Sequence, residues 1–195
     1  GSRPWNGVDP IVASSQIIMA TQTIASRQVN VTKAPSVISF GAINGGIRSN
    51  IIPDNVELIG TIRTFDQTMR ADIKKRLAKT AELVAESAGA RADVHIDHGY
   101  PVTVNNVALT QKMTPTLARI AGADNIITTD LITGAEDFSY YALETPGLFY
   151  FLGVTPKDQN AKTAPSNHSP QFYVDESALQ LGVESLSQLV VDYLQ

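Results

Sequence analysis

Apolar residues near the start of the chain follow helical spacing first and strand spacing afterwards. A helix is predicted from Asp9 to about Arg27, because Asp9 is a good N-cap and Pro10 can take the first helical position without losing a hydrogen bond. Two strands are predicted next, Ser36 to Ile43 and Val56 to Arg63, since polar and apolar residues alternate in both. The apolar face of the helix is predicted to contain Ile11, Val12, Ile18 and Ala25.

A long helix and a further strand complete this first region. Asp66 is predicted to cap a helix that runs to about Ala88, where Gly89 ends it. The segment from Arg91 to His98 alternates again and predicts a third strand. The resulting order is helix, strand, strand, helix, strand. A split βαβ fold of the ferredoxin type begins with a strand, so we expect a leading strand just before Gly1.

The second half of the chain has a different pattern. Helices are predicted from near Asn106 to Ala121, from about Ala135, and from Asp175 to Leu194, with strands at Ile126 to Thr128 and at Leu148 to Leu152. The second of these strands is apolar throughout, which is typical of a strand buried on both faces of a sheet. Two strands cannot build such a sheet. We therefore expect this chain to be the C-terminal portion of a larger protein.

Composition narrows the range of partners. The net charge of -4 and the lack of any Lys/Arg run argue against a nucleic-acid partner. The chain has no cysteine, which excludes thiolate metal ligands and cysteine nucleophiles. No apolar run approaches the roughly 20 residues that a membrane span requires. We expect a soluble protein without a membrane partner, and the sequence leaves both a cytoplasmic and a periplasmic location open.

Five motifs follow one another along the chain, and their order carries a family resemblance. They are Arg3-Pro4-x-x-Gly7-Val8-Asp9-Pro10-Ile11, Gly45-Gly46-x-x-x-Asn50-x-Ile52-Pro53-Asp54, Gly60-Thr61-Ile62-Arg63-Thr64, Gly134-Ala135-Glu136-Asp137-Phe138 and His168-x-Pro170-x-Phe172. This order resembles that of the aminoacylase-like zinc metallopeptidases and amidohydrolases. The most similar subgroup contains hippurate hydrolase, N-acyl-amino-acid amidohydrolases and auxin-conjugate hydrolases.

The resemblance implies an α/β (α+β) enzyme with two domains. Residues 1–103 correspond to a ferredoxin-like split βαβ lid, through which many members form a homodimer. Residues 104–195 correspond to the C-terminal part of the metallopeptidase α/β catalytic domain. The resemblance also implies a pair of divalent ions, usually zinc and in some members manganese or cobalt, which activate a water molecule against an amide carbonyl. The implied substrates are N-acyl amino acids or small peptides.

His168 is the candidate metal ligand. It lies in the polar loop 167–170, between the last predicted strand and the last predicted helix. Open α/β sheets bind ligands beyond the carboxyl ends of their strands, so the loop is a suitable position for a site residue. The resemblance makes His168 the last metal ligand of the family, and the alternative is a loop histidine that hydrogen-bonds to the backbone. His95 and His98 match no family motif, and we expect structural roles for both.

Asn50 and Arg63 are the candidate substrate-binding pair. A loop asparagine and an arginine at a strand end can offer amide and guanidinium donors to one carboxylate, a geometry that arginine serves well. The resemblance assigns the pair to the free carboxylate of the substrate or to the developing oxyanion. The alternative is a turn asparagine and a salt bridge at the strand edge.

The motif at 134–138 contains two adjacent carboxylates. Glu136 and Asp137 would point in different directions on a helix, and acidic residues in a first turn are explained by the helix dipole. The resemblance places this motif at the border of the substrate pocket. Gly134 and Glu136 are therefore predicted to be wall residues of the pocket and not metal ligands.

No catalytic residue is predicted within this chain. The resemblance assigns the general-base glutamate and most metal ligands to an N-terminal half outside this sequence. In addition, Trp5 stands where many members carry a histidine. We expect the 195-residue chain alone to be inactive, because one ligand cannot hold a metal pair. Two hypotheses remain open: the parent protein is a metal-dependent amidohydrolase, or the chain is a non-catalytic dimerisation and binding module or a degenerate homologue.

Overall fold

The chain contains five α-helices and one small antiparallel sheet. In the computed structural model, which describes residues 1–195, the elements follow one another as α1 (Pro10–Thr23), β1 (Ser36–Asn44), β2 (Glu57–Thr64), α2 (Gln67–Ser87), α3 (Val107–Ala121), α4 (Phe138–Glu144) and α5 (Ser177–Tyr193). Short 3-10 turns occur at Pro4–Asn6 and Ala123–Asn125, and one π-helical turn, Ile24–Gln28, extends α1. This mixture of helices and a small sheet confirms the predicted α+β class.

The chain divides into two compact units. Unit 1 contains Gly1–Val102 together with the short segment Thr133–Ala135. Unit 2 contains Thr103–Ile132 and Glu136–Gln195. No helix in either unit is both long enough and apolar enough to span a membrane.

Local caps set the beginnings of α1 and α2, as predicted. The Asp9 carboxylate accepts hydrogen bonds from the backbone N–H groups of Ile11 (2.9 Å) and Val12 (3.3 Å). The Asp66 carboxylate accepts one from the N–H group of Met69 (2.7 Å). These bonds satisfy donors that have no partner inside a helix. Gly89, with φ +73°, follows the end of α2 in the left-handed conformation that favours glycine.

The predicted apolar face of the first helix is wrong at Ile11 and Val12, whereas Ala25 packs against the first cluster and Ile18 is half-buried. Ile11 and Val12 are exposed, whereas Ile17 and Thr21 are buried. The Thr21 hydroxyl donates to the carbonyl of Ile17 (2.8 Å), so its burial leaves no unsatisfied donor. The buried face of the helix is a set of residues that the sequence pattern did not indicate. It consists of Ala13, Ser14, Ile17, Thr21 and Ile24.

The sheet of unit 1 is an antiparallel pair with one bulge. Val37 lies opposite Arg63, and the register shifts by one residue at Gly41. A Cβ atom on Gly60 would overlap the carbonyl oxygen of Ser39, whereas Gly41 has open space around it. The glycine in the Gly60-Thr61-Ile62-Arg63-Thr64 motif therefore has a packing reason: the bulged partner strand passes too close for a side chain.

Two apolar clusters hold unit 1 together between the helices and the sheet. The first joins the C-terminal part of α1, the strand β1 and the start of α2, and it contains Ile24, Ala34, Ile38, Met69 and Ile73. The second joins α1 and the later turns of α2, and it contains Ile17, Ala81 and Ala85. Leu58 of β2 and Val94 of the segment after α2 both pack against this second cluster.

The strand predicted from Arg91 to His98 forms no ladder. The only sheet is β1–β2, so this part of the prediction is wrong as an element of hydrogen-bonded structure. The residues nevertheless alternate between exposed and half-buried from Arg91 to Asp97, as they would in a strand that covers a helix layer. The alternation of exposed and half-buried residues reflects side-chain burial, whereas a ladder of hydrogen bonds also requires a neighbouring strand.

Unit 2 is built around the pair of helices α3 and α5. Asn106 caps α3, because its side-chain oxygen accepts from the N–H group of Leu109 (2.9 Å). Asp192 on α5 accepts hydrogen bonds from Thr116 (2.6 Å) and Arg119 (2.5 Å) on α3. The bond from Thr116 is the main reason that the pKa of Asp192 lies below its usual value. This polar contact fixes the two helices side by side.

The remaining predictions in unit 2 are only partly met. No strand forms at Ile126–Thr128 or at Leu148–Leu152, and the helix expected from Ala135 begins at Phe138. Asn105 explains part of the difference at the second of these segments. Its side-chain amide donates to the carbonyl of Phe149 (2.8 Å) and accepts from the N–H group of the same residue (2.7 Å). A side chain thus makes the two bonds that a neighbouring strand would make.

Candidate functional site

Arg63 lies on the face of the sheet that points away from the two clusters of unit 1. It is half-buried at the end of β2, directly opposite Val37. One guanidinium nitrogen, Nη1, donates to the carbonyl oxygen of Thr133 at 3.2 Å. The chain has four salt bridges, and none of them involves Arg63. The structural alternative for Arg63, a salt bridge at the strand edge, is therefore not formed.

No hydrogen bond joins Asn50 to Arg63. It is exposed in the loop between the two strands, and its side chain makes no hydrogen bond within the chain. Its backbone carbonyl lies close to Gly1, where an added Cβ atom would come within 2.7 Å of it. The two donors of the predicted pair thus both remain able to bind a ligand, but no contact joins them.

The motif at 134–138 is distributed over both units. Gly134 is exposed and belongs to unit 1, next to the Thr133 carbonyl that binds Arg63. Glu136 is half-buried and belongs to unit 2, where its carbonyl accepts from the N–H group (3.1 Å) and the hydroxyl (2.6 Å) of Ser139. The sequence pattern predicts Glu136 in the first turn of a helix. In the structure α4 begins at Phe138, so Glu136 lies before the helix.

His168 projects from a turn that its neighbours stabilise. The N–H group of Ser169 donates to the carbonyl of Ser166 (2.8 Å), and the N–H group of Gln171 donates to the Ser169 hydroxyl (3.1 Å). The imidazole of His168 is exposed and makes no hydrogen bond within the chain. The alternative role for His168, a hydrogen bond to the backbone, is thus absent from the structure.

The 195 residues do not form a metal site by themselves. No group of three or more His, Cys, Asp or Glu side chains has an arrangement that could hold a metal ion. A catalytic zinc needs about three protein ligands in addition to its water. His168 is able to supply one nitrogen ligand, and the other donors of any metal centre would have to come from outside this chain.

Other candidate features lie away from these residues. His95 is exposed and its Nε2 contacts the Asp97 carboxylate at 2.9 Å, in keeping with a structural position. A cleft of about 460 Å³ lies in unit 2 between residues 104–107 and 142–147, and it contains none of the predicted site residues. The contact that the sequence did not predict is the Thr133 carbonyl on Arg63. Its only signal in the sequence is that Thr133 directly precedes the Gly134 motif.

Comparison with known proteins shows the protein family to which the chain belongs. The model of the family described as Peptidase family M20/M25/M40 matches residues 5–192. The chain belongs to this family, which confirms the resemblance to aminoacylase-like metallopeptidases and amidohydrolases drawn from the five motifs.

Particular relatives are similar over nearly the whole chain. Thermostable carboxypeptidase 2 of Saccharolobus solfataricus is 36% identical over 194 residues, which cover 99% of this chain and 48% of that protein. N-acetyl-L-cysteine deacetylase of Bacillus subtilis is 37% identical over 179 residues, which cover 90% of this chain and 40% of that protein. The chain therefore spans about half the length of the curated relatives it matches.

A solved structure shares the fold. It is a Bacillus subtilis protein described as a dinuclear metal binding peptidase from the M20 family, with a TM-score of 0.69 and 26% identity. The similarity covers 94% of this chain and 46% of that structure. Sequence and structure comparisons thus agree on the family and on the share of a relative that the chain represents.

Proposed function

We propose that the intact protein to which this chain belongs is a metal-dependent amidohydrolase that hydrolyses the amide bond of N-acyl amino acids or small peptides. The observation that carries this proposal is the family match, which extends from residue 5 to residue 192. The names of the two relatives, a carboxypeptidase and an N-acetyl-L-cysteine deacetylase, both denote cleavage of an amide bond next to an amino acid.

Within that protein, we assign residues 1–103 to a lid and dimerisation domain and residues 104–195 to the C-terminal part of the catalytic domain. Support for the first assignment is the two-layer arrangement of unit 1, in which α1 and α2 cover one face of the sheet and the other face carries Arg63. Support for the second is the loop position of His168, which follows the apolar segment 148–152.

Arg63 and Asn50 are assigned to the free carboxylate of the substrate. The Arg63 guanidinium has five N–H donors, and only one hydrogen bond, to Thr133, uses them within the chain. A half-buried cation without a carboxylate partner favours an anion from solution, and a carboxylate fits the remaining donors. Gly134, beside Thr133, and Glu136 are assigned to the wall of the same substrate pocket.

His168 is assigned one metal–nitrogen bond in the intact protein. When bound, a divalent pair, with zinc as the first choice and manganese or cobalt as substitutes, would supply Lewis-acid activation of water. The chain alone offers too few donors for that pair. We therefore expect the 195-residue chain to show no hydrolytic activity by itself.

A homodimer through residues 1–103 is part of the same proposal. Two features support it: β1 leaves one edge without a hydrogen-bonded neighbour, and α1 exposes Val12 (51%) and Met19 (72%). An open strand edge readily pairs with a second chain. Light scattering of the intact protein should give the mass of a dimer, and a monomer at high concentration would count against this assignment.

Hydrolysis by the intact protein tests the function. The assay compares N-acetyl amino acids, hippurate and dipeptides after metal removal by a chelator and again after addition of zinc, manganese or cobalt. We expect turnover that disappears on chelation and returns with metal. If no substrate in the panel is hydrolysed with any of the three metals, the non-catalytic binding module becomes the better description.

A further inference from the structure

Trp5 is a large apolar side chain on a fixed turn at the surface of unit 1. It is the only tryptophan of the chain and is 76% exposed. It lies in the 3-10 turn Pro4–Asn6, before α1, and the N–H group of Asn6 closes this turn by donating to the carbonyl of Arg3 at 3.1 Å. The indole has no ring contact or hydrogen bond within the chain. Its flat face and its N–H group are thus both available to a ligand.

Both flanks of this turn contact the loop between β1 and β2. Before the turn, the Cβ position of Gly1 lies 2.7 Å from the carbonyl oxygen of Asn50. After the turn, the Cδ1 atom of Ile11 lies 3.8 Å from the Cβ position of Gly46. Trp5 follows Gly1 so closely along the chain that their Cα atoms are at most about 14 Å apart. Trp5 is therefore held beside the loop that carries Asn50.

The loop adds exposed apolar side chains of its own. Ile47 is 96% exposed, and Ile51 is exposed over more than half of its surface. Single apolar residues on a surface are common, whereas several that lie together mark a binding surface. We call Trp5, Ile47 and Ile51 the loop patch. The patch has the character of a subsite for an apolar group.

Charged groups next to the loop patch indicate which kind of apolar ligand it suits. Arg3 precedes the turn and Arg48 lies in the loop, and neither takes part in any of the four salt bridges. Of the two carboxylates on the same segments, Asp9 accepts from backbone N–H groups of α1, and Asp54 is exposed. The two guanidinium groups disfavour a cation on the indole and favour an anion that carries an apolar ring.

We propose that Trp5 is a specificity-determining residue of the substrate site, where its indole stacks on an aromatic ring of the N-acyl amino acid. Asn50 has a free side-chain amide, and Arg48, two residues earlier, adds free N–H donors for the carboxylate of the same molecule. A ring that is joined to a carboxylate by a few bonds matches an indole beside these donors. The identity of the ligand rests on the proposed function, which the inference makes more specific.

The ring has two possible sources in such a substrate. It belongs to the amino-acid side chain in N-acetylphenylalanine and to the acyl group in hippurate. Both molecules carry the ring and the carboxylate on a short flexible chain, so the same stacking contact serves either. N-acetylalanine has the carboxylate without a ring, and N-acetylphenylalaninamide has the ring without the carboxylate. These four compounds separate the two halves of the proposed recognition.

The fluorescence of Trp5 tests the subsite without turnover. The 195-residue chain is sufficient for this measurement, because it has no other tryptophan and the whole loop patch belongs to unit 1. We expect a saturable change in emission with N-acetylphenylalanine or hippurate, and about 10-fold weaker binding of N-acetylalanine. The aromatic acid that responds identifies the source of the ring. If neither acid gives a saturable change, the proposal is wrong.

The carboxylate side of the subsite is tested by Arg48→Ala. This substitution should weaken binding of the aromatic acid by about 10-fold, because a charge-assisted hydrogen bond is lost, and should leave the weak binding of N-acetylphenylalaninamide unchanged. Equal weakening of both compounds would contradict the role of Arg48. An emission change that appears on concentrating the chain without ligand would show that a second copy covers Trp5, and the proposal would then fall.

Steady-state kinetics of the intact protein tests the effect of Trp5 on specificity. Trp5→Ala should lower the ratio of kcat/KM for the aromatic acid to that for N-acetylalanine by about 10-fold. Trp5→Phe should restore most of this ratio, and Val31→Ala, at an exposed apolar residue outside the loop patch, is the matched control. An unchanged ratio in Trp5→Ala would overturn the proposal.

The two measurements also separate this inference from the proposed function. A saturable response of Trp5 in a protein that hydrolyses none of the compounds would refute the hydrolase and leave the subsite standing. Turnover of N-acyl amino acids without any response of Trp5 would do the reverse.

Discussion

Unit 1 and unit 2 differ in how far the chain alone can bury their apolar residues. Ten apolar residues are buried, and nine of them lie in unit 1, whereas only Met113 lies in unit 2. The outer face of α5 shows the difference most clearly, because it exposes Leu179, Val183, Leu186 and Val190 at spacings of four, three and four residues. Such a stripe is typical of a buried helix face. Unit 1 therefore holds nearly all of the buried apolar core, while unit 2 exposes an apolar helix face.

The largest expected effects in the intact protein come from substitutions at two candidate site residues, one in each unit. His168→Ala in unit 2 should lower metal-dependent turnover by on the order of 100-fold or more at fixed metal, because a metal ligand is lost. Arg63→Ala in unit 1 should instead raise KM by about 10- to 100-fold for substrates with a free carboxylate, because a charge-assisted hydrogen bond is lost. Steady-state kinetics with a metal titration measures both.

A substrate whose carboxylate is replaced by an amide is the control for this pair. Arg63→Ala should affect that substrate little, while His168→Ala should affect both substrates equally. His95→Ala, at an exposed histidine of unit 1, should leave both constants unchanged. Loss of activity from Arg63→Ala that is the same for both substrates would show that Arg63 does not bind the carboxylate.

Core truncation in unit 1 should have the next largest effect. Ile73→Ala removes a fully buried side chain from the first cluster and should reduce the free energy of unfolding of the 195-residue chain by about 2–5 kcal/mol. Leu83→Ala on the same helix, at a half-exposed side chain, should change it by less than about 0.5 kcal/mol. Urea unfolding followed by circular dichroism tests this. Similar effects of the two substitutions would mean that unit 1 is not independently packed.

The effect of shortening a side chain on the outer face of α5 should differ between the 195-residue chain and the intact protein. Leu186→Ala should barely affect the 195-residue chain, where the side chain is 60% exposed. In the intact protein it should reduce the free energy of unfolding by about 1.5–3 kcal/mol, because the leucine would be covered there. Ser187→Ala on the same helix is the matched control. If Leu186→Ala has no effect in either protein, the contrast between the two units is not a matter of missing partners.

The bulge in unit 1 gives a smaller and more local test. Gly60→Ala should reduce the free energy of unfolding by about 1–3 kcal/mol, because the new Cβ atom would overlap the Ser39 carbonyl. Gly41→Ala, in the opposite strand of the same bulge, meets no atom within 4 Å and should have little effect. Thermal unfolding of the 195-residue chain compares them. A milder effect of Gly60→Ala than of Gly41→Ala would contradict the packing explanation for the motif glycine.

Acid unfolding should show the smallest difference between the units. The Lys33 ammonium, with help from Thr68 and the N–H group of Met69, holds the pKa of Asp66 well below its usual value. Since an unfolded aspartate titrates near about 3.9, the stabilisation is complete above that pH and is lost as the pH falls towards the folded-state pKa. The acid limb of a unit is the fall of its stability as the pH is lowered. Asp66→Asn should therefore make this fall less steep for unit 1, and Asp192→Asn should do the same for unit 2.

Amide resonances of each unit, recorded as the pH is lowered, measure these two limbs separately. Asp54→Asn is the control, because this exposed side chain makes no hydrogen bond or ion pair. An unchanged acid limb in Asp66→Asn would show that the cap at the start of α2 does not contribute to acid stability.

Features that depend on neighbouring residues in the sequence could be predicted well. The caps at Asp9 and Asp66 gave the starts of two helices, because a cap is a hydrogen bond over two or three residues. The strands β1 and β2 were also predictable, since each is the other's partner within a short distance along the chain.

Features that depend on distant residues could not be predicted in the same way. Three predicted strands lack ladders, because alternation and apolarity report burial and not the presence of a neighbour. The predicted face of α1 was wrong at Ile11 and Val12 for a related reason: which side of a helix is buried depends on the elements that pack against it. For the candidate site, motif order made Arg63 and His168 candidates, which remain predictions, whereas the Thr133 carbonyl contact required the fold.

The two hydrogen bonds between Asn105 and Phe149 have a consequence for self-association. The segment Leu148–Leu152 is apolar, aromatic and uncharged, which are the properties of sequences that form intermolecular β-structure. By occupying both backbone polar groups of Phe149, one asparagine side chain removes them from pairing with a second chain. We therefore expect loss of the Asn105 side chain to appear first as poor recovery of folded protein.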